Sequence, residues 1–177
     1  MNEHIFRAYD IRGQVERDLS PQLITDLGRA IGTMVIRAGQ RKRVAVARDA
    51  RLSSPWLRDA IIEGLQSTGC DTVDVGLVPT PLLYFAVHTG EYGGGVMITG
   101  SHNPPQDNGF KILCGKGSIH GSDIQGLKNL IVSKDFETGS ATGSDYNIRA
   151  DYEAYIRQNI CLGERKLKVV VDAGNGP

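Results

Sequence analysis

Residues 93–114 read GGGVMITGSHNPPQDNGFKILC, and they predict two short strands joined by a polar loop. The apolar runs VMI at 96–98 and FKILC at 110–114 are bounded by glycine and proline, as strands commonly are. The loop between them contains small and polar side chains and two prolines. Because strands hold both of its ends in place, this loop is a favourable position for binding or catalytic groups.

Three side chains of this stretch suit the binding and transfer of a phosphoryl group. Ser101 offers a hydroxyl, His102 offers a titratable imidazole, and Lys111 is the only charged residue of the second apolar run. Strand alternation places Lys111 on the same face as Gly109, which would leave room beside the lysine. A hydroxyl, an imidazole and a lysine complement a dianionic phosphate better than a neutral acyl group.

Two other interpretations of the loop follow from its residues. A simple turn, in which serine and asparagine bond their own backbone, explains the same composition and stays open at this point. A serine-hydrolase elbow requires glycine two residues before and two residues after the serine. Thr99 and Asn103 occupy those positions, so the hydrolase interpretation is weak.

The segment TGSHNPPQDNGFKI at 99–112 resembles the phosphoserine loop of the α-D-phosphohexomutases, most closely that of the bacterial phosphomannomutase/phosphoglucomutase branch. Four further segments resemble the family in the same order: FRAYDIRG at 6–13, VAVARDARLS at 44–53, DVGLVPTPLLYFA at 74–86 and LKVVVDAGNG at 167–176. The resemblance covers the whole chain. It departs from the family pattern at Ala47, where glycine is usual, and at Gln106 and Asp107 in the loop.

The resemblance implies an enzyme that interconverts hexose 1-phosphate and hexose 6-phosphate through a hexose 1,6-bisphosphate, which also serves as activator. Ser101 aligns with the serine that carries the phosphoryl group, so that one transfer is divided into two easier steps. The resemblance further implies that Lys111 transfers a proton at the sugar hydroxyl, and that His102 and Asn103 orient the phosphate.

Tyr9 and Arg12 belong to the segment at 6–13, where the residues alone are equally typical of a surface salt-bridged turn. The resemblance implies that Tyr9 contacts the sugar and that Arg12 steadies the phosphoserine region. It also implies a Mg²⁺ ion, held by the phosphate on Ser101 and mainly by aspartates of a DGDGDR-type motif that this chain lacks. The expected partners are hexose phosphate and the remaining domains of the same chain, and this fragment alone is expected to show negligible turnover.

Alternating strands and helices predict an α/β fold: a three-layer αβα domain with a mixed, mostly parallel sheet over residues 1–146. Gly28 and Gly32, on the clearest helix, permit close approach of another element. Ser20, Ser54 and Ser122 are candidate helix caps, the last in a capping box. The predicted elements are helices at 20–39, from 54, from 80 and from 122, and strands at 44–47, 71–75, 96–98 and 110–114.

Arg48, Asp49 and Arg51 follow the strand at 44–47, at an end where ligands often bind in open α/β sheets. Ion-pair networks are common there without any direct function, so the pattern favours a structural ion pair.

Residues 133–147 are rich in serine, threonine, glycine and aspartate, which predicts an exposed linker and a domain boundary. A helix at 147–160 and an apolar strand at 167–171 then predict the truncated start of a second α/β domain over 147–177.

The composition limits the remaining functions. The 177 residues include 20 Lys+Arg and 20 Asp+Glu, a balance that argues against nucleic-acid or membrane-surface binding. Three widely spaced cysteines and an N-terminus without an apolar segment lead us to expect a cytoplasmic protein. Two rival functions stay open: a phosphoglucosamine mutase of the same fold, and a non-catalytic phosphosugar-binding module.

Overall fold

Strands and helices alternate along residues 2–174, which are the residues that the computed structural model describes. The strands are β1 (Ile11–Gln14), β2 (Arg43–Arg48), β3 (Asp71–Leu77), β4 (Gly94–Ile98), β5 (Asp107–Cys114), β6 (Gly117–Ser118) and β7 (Gly143–Asp145). The α-helices are α1 (Val15–Asp18), α2 (Pro21–Arg37), α3 (Ser54–Gln66), α4 (Thr80–Thr89), α5 (Ser122–Ser133) and α6 (Ile148–Asn159).

These strands form one mixed sheet in the order β1-β5-β4-β2-β3-β7, with β6 paired to β5. Strand β2 is parallel to β3 and β4, and β3 is parallel to β7. Strand β5 runs antiparallel to β1, β4 and β6, so it is the one described strand that opposes the common direction. The predicted α/β class with a mixed, mostly parallel sheet is confirmed.

Two hydrophobic cores lie on opposite faces of the sheet. Helices α2, α3 and α5 cover the face that contains Phe110 and Ile112. Helix α4 and the start of α6 cover the other face, which contains Met97 and Leu113. Successive residues of β5 therefore enter different cores, as the period of a strand requires. The arrangement is the predicted three-layer αβα sandwich.

Helices α2 and α3 pack with their backbones in contact. A Cβ on Gly28 would lie 2.5 Å from the carbonyl oxygen of Ile61, and a Cβ on Gly64 would lie 2.2 Å from that of Thr25. The close approach predicted at Gly28 is confirmed, and Gly64 is its counterpart on the facing helix.

Only one of the three predicted caps forms. The hydroxyl of Ser20 accepts a backbone N–H of the first turn of α2. Ser54 and Ser122 are instead the first residues of their helices, and neither helix has a side-chain cap. The hydroxyl of Ser54 donates to Asp49, and Gly121 precedes Ser122 with a φ of 50°. The two cap predictions were wrong because a tertiary contact and a glycine turn replace the local bonds.

The predicted linker at 133–147 is fastened to the domain. It contains β7, which extends the sheet beyond β3, and Arg37 of α2 contacts Asp135 at 2.8 Å. Helix α6 then packs on α4, where the rings of Phe85 and Tyr152 lie 5.2 Å apart. The stretch is exposed along most of its length, as predicted, and its place as a domain boundary stays a prediction.

The predicted strand at 167–171 does not form in this structure. Its side chains are exposed, Val170 to 89%, and no described strand offers it backbone hydrogen bonds, which a strand needs to exist. The division into domains at 1–146 and 147–177 stays a prediction, and residues 1 and 175–177 of those ranges lie outside the described residues. None of the described helices combines the length and apolar character needed to cross a membrane.

Candidate active site

The loop between β4 and β5 carries Ser101 in an unfavourable backbone conformation. Its φ is 52°, in the left-handed region that residues other than glycine seldom adopt. The N–H of Ser101 donates to Thr99 Oγ1 at 2.9 Å, and that of Gly100 donates to Asp49 Oδ2 at 3.1 Å. Ser101 is exposed. Backbone outliers of this kind cluster at functional sites, so the loop is the first candidate.

His102, Asn103 and Arg12 lie in or against this loop. Ser101 Oγ and His102 Nδ1 are 3.4 Å apart, a long hydrogen bond. Arg12 Nη1 donates to Asn103 Oδ1 at 2.9 Å. Arg12 also forms an ion pair with Asp10, and only 19% of its side chain is exposed. Four of the predicted site residues thus form two contacting pairs in this loop and beside it.

Strand β1 places Arg12 beside the loop because it pairs with β5. Arg12 lies opposite Gly109 in this register. A Cβ on Gly109 would lie 2.5 Å from the carbonyl oxygen of Ile11. The expectation that Gly109 leaves room beside Lys111 was therefore wrong, since the missing side chain makes room for the backbone of β1.

Lys111 and Tyr9 form no hydrogen bond to the loop among the described residues. Lys111 lies opposite Met97 of β4, and it follows Gly109, the residue opposite Arg12, by two positions in β5. Tyr9 is 79% exposed, and its ring stacks at 6.4 Å on that of His120. An exposed aromatic ring is suited to contact a sugar face. The residues alone did not predict His120, because 111 positions separate it from Tyr9 in the chain.

Asp49 and Arg51 are the functional candidates whose role the sequence did not predict. Arg51 Nε lies 3.4 Å from Asp49 Oδ2, so the expected ion pair exists. The same arginine also donates to backbone carbonyls of the Ser101 loop. The order Arg-Asp-x-Arg at the carboxyl end of β2 was the available signal, but it does not reveal which neighbouring loop the arginine reaches.

The described residues do not form a metal centre by themselves. Within residues 2–174, no group of three or more His, Cys, Asp or Glu side chains could hold a metal ion. Ser101 Oγ is exposed, so a phosphate on it could supply hard oxygen ligands to Mg²⁺. Any further ligands would have to come from elsewhere.

Comparisons with known proteins find similarity over most of the chain. Residues 3–138 match the sequence model for phosphoglucomutase/phosphomannomutase, alpha/beta/alpha domain I. The phosphomannomutase/phosphoglucomutase of Pseudomonas aeruginosa is 45% identical over 172 residues, which are 97% of this chain and 37% of that protein. The phosphoglucomutase of Neisseria meningitidis serogroup B is 41% identical over 174 residues, again 97% of this chain and 37% of the relative.

A solved structure supports the same assignment. The X-ray structure of a phosphoglucomutase/phosphomannomutase family protein from Burkholderia thailandensis superposes with a TM-score of 0.86 at 42% identity, over 90% of this chain and 36% of that one. The chain therefore spans little more than a third of the length of the proteins it matches. With its αβα domain matched almost throughout, this chain belongs to the phosphoglucomutase/phosphomannomutase family.

Proposed function

We propose that this chain is the serine-bearing domain of a phosphomannomutase/phosphoglucomutase, which interconverts hexose 1-phosphate and hexose 6-phosphate through a phosphoserine and a hexose 1,6-bisphosphate. The observation that carries the proposal is Ser101, an exposed hydroxyl held at a φ of 52° on a loop between two adjacent strands. A solvent-facing serine in a strained turn is suited to accept and release a bulky group.

In the proposed reaction, Ser101 carries the phosphoryl group between the two sugar positions. A sugar hydroxyl attacks the phosphorus of phosphoserine, the bond from phosphorus to Ser101 Oγ breaks, and Oγ regains a proton. The sugar bisphosphate then returns its other phosphoryl group to Ser101, so that no phosphate is lost. Lys111 is proposed to take the proton from the attacking hydroxyl, by family resemblance and by its position on β5.

Positive charge and hydrogen-bond donors near Ser101 support this role. A phosphoserine carries about −1.5 to −2 charges at neutral pH, and phosphoryl transfer depends chiefly on positioning and charge neutralisation. His102 lies beside the hydroxyl and can donate to the phosphate. Arg12 stands behind Asn103 and orients that amide. Tyr9, exposed and stacked on His120, is the proposed contact for the sugar ring.

Mg²⁺ belongs to the proposal only as an ion that the phosphate on Ser101 would help to hold. When bound, it would neutralise charge on the phosphoryl group. The described residues offer no further cluster of ligands, so we derive no step through the ion. We also propose that other parts of the full-length protein complete the sugar site, and that the three free cysteines indicate a reducing cytoplasm.

Intact-mass analysis of the full-length protein tests the proposal. We expect one phosphate on Ser101, lost when hexose phosphate is added, and mutase turnover that Ser101→Ala removes. Ser140→Ala is the matched control, because Ser140 is an exposed loop serine. Full turnover in the Ser101→Ala protein would contradict the proposal. The 177-residue chain alone is expected to show negligible turnover, and measurable conversion of mannose 1-phosphate by it would refute that expectation.

A further inference from the structure

The guanidinium group of Arg51 is enclosed by backbone oxygens of the Ser101 loop and of the first residue of β5. Its two terminal nitrogens donate four hydrogen bonds between 2.7 and 3.1 Å, all to carbonyl groups. The four acceptors are the carbonyl oxygens of Ser101, Asn103, Pro104 and Asp107. Nε lies 3.4 Å from Asp49 Oδ2 in an ion pair, so the four N–H groups of the terminal nitrogens are hydrogen-bonded and the fifth donor lies beside a carboxylate.

This arginine is shielded from solvent and electrically compensated. Only 16% of its side chain is exposed, and 13% of that of its partner Asp49. Asp49 is itself held by the hydroxyl of Ser54 at 2.5 Å and accepts the N–H of Gly100. An arginine that receives a phosphate presents a free fork of donors. The fork of Arg51 is already occupied, so it is not placed to bind the substrate.

Gly100 allows Arg51 to lie directly against the loop. A Cβ at this position would lie 2.2 Å from Arg51 Cζ and 2.2 Å from Nε. The φ of Gly100 does not require glycine, since it is outside the left-handed region. The need for glycine at this position therefore comes from the close approach of the guanidinium and not from the backbone conformation.

We propose that Arg51 is a positioning residue for phosphoryl transfer. By binding the loop carbonyls to one partly buried cation, it holds Ser101 in the left-handed conformation. It also keeps the negative ends of these carbonyl dipoles bound, so that they do not oppose an incoming phosphate. Fifty positions separate the two residues in the chain, so the loop alone cannot supply this constraint. The inference rests on the proposed function only for the identity of the group that Ser101 carries.

Arg51→Lys in the full-length protein is the first test, with Arg58→Lys as the matched control. Arg58 is also partly buried and ion-paired, but with Asp59 and Asp74. Lysine keeps the charge and loses the planar fork. We expect Arg51→Lys to lower kcat about 100-fold and to change KM less than about threefold, because misalignment affects transfer more than sugar binding. A kcat within about threefold of wild type would overturn the proposal, given the size of effect that misplacement causes.

Hydrogen exchange on the same proteins separates this inference from the proposed function. We expect the amides of residues 100–103, 106 and 107 to exchange at least about tenfold faster in the Arg51→Lys protein, with those of α2 unchanged. Unchanged exchange in the loop overturns the positioning role even if activity is lost. If the wild-type protein shows neither phosphate on Ser101 nor turnover, the proposed function fails, and the exchange rates still decide what Arg51 does.

Gly100→Ala alone gives a second test if Arg51→Lys unfolds the protein, and an unchanged kcat in that variant would refute the inference; where the arginine variants fold, it also completes a double-mutant cycle. The added methyl group displaces the guanidinium while leaving Arg51 in the chain. We expect Gly100→Ala and Arg51→Ala each to lower kcat strongly. The kcat of the double variant should lie within about threefold of that of the less active single variant, because both changes break the same interaction. Effects that multiply independently would refute the inference.

Discussion

The strained backbone at Ser101 predicts that glycine at this position gives a more stable domain than alanine does. A residue other than glycine in the left-handed region costs about 1–2 kcal/mol, and Ser101, with its φ of 52°, should carry such a cost. Replacing alanine by glycine lowers stability by about 0.4–1 kcal/mol, because glycine gives the unfolded chain more conformational freedom. The difference leaves Ser101→Gly more stable than Ser101→Ala by about 0.8 kcal/mol.

Urea unfolding of the two variants of this chain measures the difference. With a slope of about 2 kcal/mol per molar urea, the midpoint of Ser101→Gly should lie about 0.4 M above that of Ser101→Ala. Both variants lack the hydroxyl, so the comparison does not depend on phosphorylation.

A matched pair at Ser140 controls for the general effect of glycine. Ser140 is exposed and does not have a positive φ. There the order should reverse, with the glycine variant less stable than the alanine variant by about 0.4–1 kcal/mol. If Ser101→Gly is equal to or less stable than Ser101→Ala, the backbone of Ser101 is not strained, and the structural argument for its role loses its basis.

Two further predictions concern the rest of the domain. Gly64→Ala should destabilise it by about 1–3 kcal/mol, because the new Cβ would meet the carbonyl oxygen of Thr25 at 2.2 Å; an unchanged thermal midpoint contradicts this. Hydrogen bonds from Arg17 and Asn2 hold the pKa of the Asp18 carboxyl well below its usual range. Its stabilising contribution is therefore complete above the unfolded value of about pH 4 and is lost as the pH falls toward the lower folded value. The stability gap between wild type and Asp18→Asn in urea should accordingly shrink below about pH 4, and a gap that widens there refutes the argument.

The fold was predictable wherever local signals agreed with burial. Helix α2 combines a serine cap, a proline in the first turn and a regular apolar stripe, and it forms as predicted. Strand β5 alternates as its sequence indicates, with successive residues in opposite cores. These features depend on periodicity and on neighbouring residues, which the sequence displays directly.

Features that depend on distant partners were missed or misjudged. Strand β7 lacks any apolar pattern, because it pairs by its backbone at the edge of the sheet with all three residues exposed. The apolar run at 167–171 has a strong strand pattern but no described partner, so pattern alone was insufficient. Ser54 is a residue type that often caps helices, yet its hydroxyl donates to Asp49 and does not accept a backbone N–H of α3. The sequence shows which residues could form a contact, but the fold decides which partner each of them meets.

The candidate site likewise combines residues that are adjacent in the chain with residues that only the fold brings together. Ser101, His102 and Asn103 are adjacent in the chain, and one segment predicts them together. Arg12 and Arg51 reach the loop from β1 and from the end of β2, and only the sheet order brings them there. A segment resemblance could suggest a role for Arg12, but the contacts of Arg51 follow only from the folded structure.

The sheet order also explains why a strained loop can persist at this edge. Strands β2 and β4 are parallel neighbours, so their carboxyl ends meet, and the N–H of Asp49 donates to the carbonyl oxygen of Ile98 at 2.9 Å. Strand β5 then returns antiparallel beside β4, and the N–H of Thr99 donates to Gly109 at 2.9 Å. Both ends of the loop are thereby held by adjacent strands, while Asp49 and Arg51 form hydrogen bonds with the residues between them. Strain at Ser101 can be kept only by such surroundings, because an unconstrained loop would relax to a lower-energy backbone and withdraw the hydroxyl from its fixed position.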